Sequence, residues 1–132
     1  MADTSFLNRK RCLVLDDEFL IALDIQQVLE AAGATAVCAS GAAEALMLLD
    51  AEASFDLAIL DVRLSAPNDA TDDAKSVAAV LAERNTPFIF VTGMCADEVR
   101  AAHFPRAPVI EKPYDPARLM AAVQALLTGP TV

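Results

Sequence analysis

The stretch Cys12-Leu13-Val14-Leu15-Asp16-Asp17-Glu18 decides how this chain is read. Four apolar residues in a row suit a strand buried on both faces, and the acids that follow mark where its C-terminal end meets water. Downstream, Ile21, Ile25, Val28, Leu29 and Ala32 recur at helical spacing, and Gly33 suits a helix stop. The same alternation repeats. Thr35–Ala39 is a short second strand, and Ala42, Ala45, Leu46 and Leu49 mark a second helix. Asp56–Asp61 is a third buried strand ending in an acid. Ser65 to Asp73, with Pro67, Asn68 and three aspartates, reads as a loop before a helix marked by Ala74, Val77, Ala78 and Leu81. Pro87–Thr92 is the most strand-like segment, rich in aromatic and β-branched residues, and Gly93 ends it. Met94–His103 has a thin helical pattern limited by Pro105, and Ala107–Glu111 is a fifth strand. Asp115-Pro116 is an N-cap followed by proline at the first helical position, opening a helix through Leu119, Met120, Val123, Leu126 and Leu127.

Five strand-then-helix units predict an α/β fold: a doubly wound five-stranded parallel sheet with right-handed crossovers and helices on both faces. The domain is expected over residues 11–128, with short tails at 1–10 and 129–132. At 132 residues the chain has room for one core. Hydrophobic residues make up 55%, which excludes global disorder. The net charge of −9 and a pI near 4.4 argue against direct DNA binding and against an anionic membrane surface. The opening MADTSFLNRKR has no apolar core of a secretory signal, and no long uncharged apolar run predicts a membrane span. Three cysteines without metal-ligand spacing read as reduced thiols, so a cytoplasmic location is expected. Cys12 and Cys38 read as small core hydrophobes and Met47 as packing. His103 is the only histidine, so no multi-histidine metal site can be assembled.

In a doubly wound fold, ligands sit beyond the C-terminal ends of the strands. Those ends carry Asp16 and Asp17, Asp61, Thr92 and Lys112. Clustered carboxylates repel one another unless a cation intervenes, and Mg²⁺ accepts such oxygen ligands. A carboxylate beside Mg²⁺ and a lysine can attack a phosphoryl group, with metal and ammonium offsetting charge on its oxygens. Taken singly, each residue has a simpler reading. Asp16 suits a helix N-cap, Lys112 a solvated surface lysine, Thr92-Gly93 an ordinary turn, and Asp61 a loop cap. Independent capping does not explain why four of five strand ends carry these particular groups.

The ordered set Asp16-Asp17, Asp61, Thr92 and Lys112-Pro113 resembles the receiver domain of two-component response regulators, over roughly Arg11 to Leu127. The resemblance implies the flavodoxin-like (βα)5 receiver fold, with Asp61 as phosphoacceptor. Mg²⁺ would be held by Asp16, Asp17, Asp61 and the backbone carbonyl of Arg63. Thr92 and Lys112 would sense the phosphoryl group, supported by Gly93 and by a cis Lys112-Pro113 bond that aims the lysine inward. Pro87-Phe88-Ile89-Phe90-Val91-Thr92-Gly93 further resembles the P-F-x-F-A-T-G signature of the FATGUY receivers, with Val91 in place of Ala. Members of that subgroup often stand alone, and the absence of an output segment after Leu127 agrees. The implied partners are a sensor histidine kinase or phosphotransfer protein and a downstream protein that reads the state. The implied protein is a monomer or weak dimer and is no enzyme beyond its own aspartyl phosphorylation and dephosphorylation.

The chain departs from the family pattern in places. Ser65 stands where receivers usually carry proline. Val109 replaces the aromatic residue three positions before the lysine, and Tyr114 is a candidate substitute. Arg63 and Met94 occupy positions that govern water's access to the phosphoryl group, and their bulk implies slow self-dephosphorylation. These departures lend some support to an alternative reading, a phosphorylation-independent interaction module. A flavin-nucleotide relative of the same fold is disfavoured, because Asp16-Asp17-Glu18 would repel a bare phosphate.

Overall fold

The computed structural model describes residues 7–16, 18–51, 55–62, 70–92, 108–111 and 115–128. Within them, β1 (Arg11–Leu15), α1 (Phe19–Ala31), β2 (Thr35–Ala39), α2 (Ala42–Ala51), β3 (Leu57–Val62), α3 (Ala70–Glu83), β4 (Phe88–Thr92), β5 (Val109–Glu111) and α4 (Pro116–Thr128) follow in chain order. The strands form one parallel sheet in the order β2-β1-β3-β4-β5. The chain reverses its direction of travel across the sheet at β1, which makes the β1–β3 boundary the switch point of a doubly wound fold.

Strand alternation splits the core into two layers. Leu13, Leu15, Ala58, Leu60 and Phe90 pack with Ala45 and Leu49 of α2 and with Val77, Ala78 and Leu81 of α3. Cys12, Val14, Leu57, Ile59, Ile89 and Val91 pack with Ala22, Ile25 and Leu29 of α1 and with Leu119 and Val123 of α4. The apolar runs 12–15, 57–60 and 89–91 are therefore buried on both faces of the sheet.

The helix ends follow local chemistry. Gly33 has φ +101° and ends the α1 region, and a Cβ there would come within 3.3 Å of the Asn8 backbone. Asn85, at φ 59°, plays the corresponding left-handed role after α3, with the Thr86 N–H donating to the Leu81 carbonyl at 2.9 Å. Asp115 caps α4, its Oδ1 accepting from the Arg118 N–H at 2.8 Å.

Several expectations need correction. α3 begins at Ala70, so the expected loop ends at least four residues before Ala74. Asp72 and Asp73 then fall within the helix rather than in the loop. β3 runs from Leu57 to Val62, so Asp56 lies before it and Asp61 inside it. β4 begins at Phe88 and β5 at Val109, because Pro87 and Pro108 have no N–H for the ladder. Their carbonyls still take part, accepting from the Ala58 and Phe90 N–H groups at 3.1 and 2.9 Å. Met47 is 71% exposed rather than packed, since α2 turns Ala45 and Leu49 inward and 47 to the opposite side. Cys12 is a core residue, whereas Cys38 is only half-buried. Leu7, within the segment read as a tail, is fully buried in the α1/α4 layer. The expected helix at Met94–His103, with Cys95 and His103, lies outside the described residues, as do Ser65, Pro67 and Asn68.

Replacing Leu60, fully buried in the α2/α3 layer, by alanine removes packing on a face that cannot collapse freely. The expected cost is about 2–5 kcal/mol, read as a lower urea midpoint. Burial, reinforced by the nearby Asp56 charge, pushes the Cys12 thiol up from 9.0 to about 12. The unfolded chain thus releases this proton before the folded chain does, and stability falls as pH rises from about 9 to about 12. The difference in unfolding free energy between wild type and Cys12→Ala should shift against the wild type across that window; a pH-independent difference would contradict it.

Candidate functional site

The β1–β3 register pairs Leu15 with Leu60, and the β3–β4 register pairs Asp61 with Val91 and Val62 with Thr92. Asp16 is one residue beyond Leu15 and continues the ladder, its N–H donating to the Ala39 carbonyl at 3.0 Å. Asp16, Asp61 and Thr92 therefore end up at the same rim on three adjacent strands, each within a register step of its neighbour. Strands in a sheet lie about 4.8 Å apart, so these backbones are close. Thr92 pairs with Glu111 on β5.

Burial distinguishes the three. Asp16 is 2% exposed and Thr92 fully buried, while Asp61 is half-buried. The Asp16 Oδ1 accepts a hydrogen bond from the Glu18 N–H at 2.9 Å. The N-cap of α1 is Glu18, whose own side chain makes no capping hydrogen bond. The simple reading of Asp16 thus holds in part: it orders the β1–α1 turn from two residues upstream of the cap. That role uses one carboxylate oxygen. A carboxylate so deeply buried beside a second one is costly unless positive charge is brought to it.

This donor set fits Mg²⁺. Both side chains offer hard oxygens, and the half-burial of Asp61 leaves access for the waters such an ion retains. Among the described residues no three His, Cys, Asp or Glu side chains gather into a metal cluster. Asp17 and Arg63, the other expected ligands, lie outside the described residues. So do Gly93, Met94, Lys112, Pro113 and Tyr114. Val109 is described: it pairs with Phe90 and packs, half-buried, against the α2/α3 layer.

A second feature adjoins the rim. A cavity of about 300 Å³ opens at the end of β2, lined by Asp16, Phe19, Ala22, Cys38, Ser40 and Glu44 among others. The Glu44 Oε1 accepts from the Ser40 N–H at 2.9 Å and from the Ser40 hydroxyl at 3.1 Å, fixing the start of α2. The Cys38 Sγ lies 3.7 Å from the Ala22 carbonyl and from Gln26 Oε1. Burial, followed by the charges of Glu30, Asp16 and Glu44, pushes this thiol up, so it stays protonated near neutral pH. Sequence reasoning passes over this cavity; a serine four residues ahead of an acid at a helix start was its one available signal.

The geometry sits within a matched family. Residues 12–124 match the model of the response regulator receiver domain. The chain belongs to that family. A search of curated proteins returned no significant match. Among solved structures, this receiver is 31% identical to a response regulator receiver protein from Sinorhizobium medicae, with a TM-score of 0.78, covering 92% of this chain and 97% of that one. It is 26% identical to a CheY-like receiver domain protein from Methanospirillum hungatei, with a TM-score of 0.75 and coverage of 92% and 95%. It also resembles the response regulator PhyR from Brucella abortus at 26% identity and a TM-score of 0.73, covering 96% of this receiver and 51% of that chain. The expected α/β receiver fold is thus the observed one. No helix among the described residues is long and apolar enough to cross a membrane.

The buried Asp16 carboxylate generates a prediction for thermal unfolding. Millimolar Mg²⁺ should raise the melting temperature of the wild type and leave Asp16→Asn unmoved. Without metal, Asp16→Asn should melt no lower than the wild type, because the amide keeps the Glu18 contact and drops the charge. A metal response that survives in the variant would remove Asp16 from the donor set.

Proposed function

We propose that this receiver accepts a phosphoryl group on Asp61 from the phosphohistidine of a sensor kinase or phosphotransfer protein, and that the modified state changes which protein it binds. The observation that carries this reading is the register that sets Asp16, Asp61 and Thr92 side by side at one rim. In the transfer an Asp61 carboxylate oxygen forms a bond to phosphorus as the phosphorus–nitrogen bond to the donor imidazole breaks, and the imidazole leaves with the electron pair. Asp16, Asp17, Asp61 and the Arg63 carbonyl would hold Mg²⁺. When bound, the ion supplies positive charge to the phosphoryl oxygens and to the crowded acids.

The protein's own groups do the rest. Half-burial gives Asp61 access to a donor while excluding much bulk water. The Thr92 hydroxyl, on the neighbouring strand, donates to a phosphoryl oxygen, and Lys112 pairs with another. Phosphorylation adds roughly one to two negative charges and new acceptor oxygens at the rim. Thr92 and Lys112 turn that charge into a bias on the segments that follow β3 and β4. A downstream partner that prefers one arrangement tenfold requires a difference of only about 1.4 kcal/mol. The surface that displays it is expected around the segment after β4, β5 and α4. The intact acid set favours this reading over a phosphorylation-independent module, which has no use for repelling carboxylates.

With Mg²⁺ and beryllofluoride or a small phosphodonor, the wild type should show amide shifts spreading from residues 61 and 92. Asp61→Asn should show none of them. Lys112→Ala should remain folded and accept the group yet lose the distant shifts. Identical spectra with and without donor in the wild type, or the same shifts in Asp61→Asn, would overturn the reading.

A further inference from the structure

Two hydrogen bonds share one peptide plane at the end of β2. The Ala39 carbonyl accepts from the Asp16 N–H at 3.0 Å. The Ser40 N–H, at the other end of that same peptide unit, donates to the Glu44 Oε1 at 2.9 Å. A peptide unit is planar and barely deformable, so fixing its N–H fixes the direction of its carbonyl. A chain of contacts therefore runs from the Glu44 carboxylate, through the Ala39–Ser40 peptide, to the backbone of the buried Asp16. The Asp16–Ala39 bond closes the β1–β2 ladder just beyond its last register pair, Leu15 with Ala39. Ala39 is buried while Ser40 and Glu44 are exposed, so this peptide reaches from water to the rim.

Capping of α2 does not account for that reach. The Gly41 carbonyl accepts from the Ala45 N–H at 3.0 Å, which opens the helix at Gly41. A glutamate at the third helical position that served the helix alone would return to the Gly41 N–H. Glu44 returns one residue further, to the peptide that ends the strand. The Ser40 hydroxyl donates to the same oxygen at 3.1 Å and holds it there.

We propose that Glu44 is a positioning residue for Asp16 and, through it, for the cation at the rim. The inference rests on the phosphoryl-transfer reading, which assigns Mg²⁺ to Asp16. Glu44 touches neither the ion nor the phosphoryl group; it acts by holding the end of β1. Its carboxylate makes the Ser40 contact a charge-assisted one. A strong bond at the N–H end of a peptide polarises the carbonyl end, which tightens the hold of Ala39 on the Asp16 N–H. Asp16 is then held at two points, its N–H by Ala39 and its Oδ1 by the Glu18 N–H at 2.9 Å. Mg²⁺ demands near-octahedral geometry, so even a small rotation of this ligand costs affinity. Groups that orient a metal ligand without touching the metal carry about ten- to a hundredfold in affinity.

The test uses the whole chain and Mg²⁺ alone, in about 0.15 M KCl to screen exposed charges. Calorimetry reads the Mg²⁺ affinity, and hydrogen exchange reads the Asp16 amide without metal. Glu44→Ala removes the acceptor and should weaken Mg²⁺ binding about tenfold. It should also speed exchange of the Asp16 amide about tenfold, while Ile59 in the middle of β3 keeps its rate. Glu44→Gln keeps an acceptor oxygen at the same reach and should stay within about twofold of the wild type in both measurements. Asp50→Asn removes an exposed charge from the far end of the same helix and should change neither. Equal Mg²⁺ affinity in wild type and Glu44→Ala would overturn the proposal and leave phosphoryl transfer to Asp61 standing. So would a Glu44→Gln protein as impaired as Glu44→Ala, which would make the effect one of charge. A wild type that binds no Mg²⁺ would instead overturn the donor set, and the Asp16 exchange rates would then decide whether Glu44 holds Asp16.

Discussion

Parallel strands all point their carboxyl ends to one rim, so whatever residue follows each strand is delivered to the same place. That constraint governs the whole molecule. It requires strands whose both faces are apolar, because helices must cover each side of the sheet. It also means that three separate segments of chain, ending near 16, 61 and 92, share one polar border without any of them being neighbours in sequence. The cost of the arrangement is electrostatic. Two carboxylates, one of them almost wholly buried, are brought together at the end of a dense apolar slab. Carboxylates gathered at such a border repel one another unless a cation intervenes.

The core makes the border rigid enough to matter. Each strand contributes to two layers, one under α2 and α3 and one under α1 and α4. A shift of one residue in register would carry Leu13 and Leu60 to the wrong layer and displace the acids at the same time. Packing and site geometry are therefore coupled. The turns reinforce this. Asp16 orders the entrance to α1, Glu44 the entrance to α2, and Asp115 the entrance to α4. Asp16 serves both the turn and the polar border, which explains why its capping reading and its functional reading were both defensible from sequence.

The charge distribution separates two regions of different character. The rim between β1, β3 and β4 is small, polar and largely enclosed. The edge built from α1, the end of β2 and α2 is broad and anionic, since residues 12–62 contain ten Asp and Glu and no Lys, Arg or His. Asp16 belongs to both regions, at the rim by its strand position and at the edge as a wall of the cavity.

Local pattern determined much of this protein by itself. The apolar runs at 12–15, 57–60 and 88–91, the acid and hydroxyl that follow them, the Gly33 stop and the Asp115-Pro116 helix start all depend on neighbouring residues, and each was readable in order. Tertiary structure alone decided how the elements sit on one another. Periodicity tells which residues share a helix face but not how that face is rotated against the sheet, so Met47 looked like core and points to water. Composition favoured a loop across Ser65–Asp73, while residues 70–73 belong to α3. Leu7 looked like tail because its partners on α1 and α4 are distant in sequence. The cavity at the end of β2 had only the Ser40–Glu44 spacing as a local signal, since its walls come from segments at 16–22 and 38–44 that meet only because β1 and β2 pair in parallel.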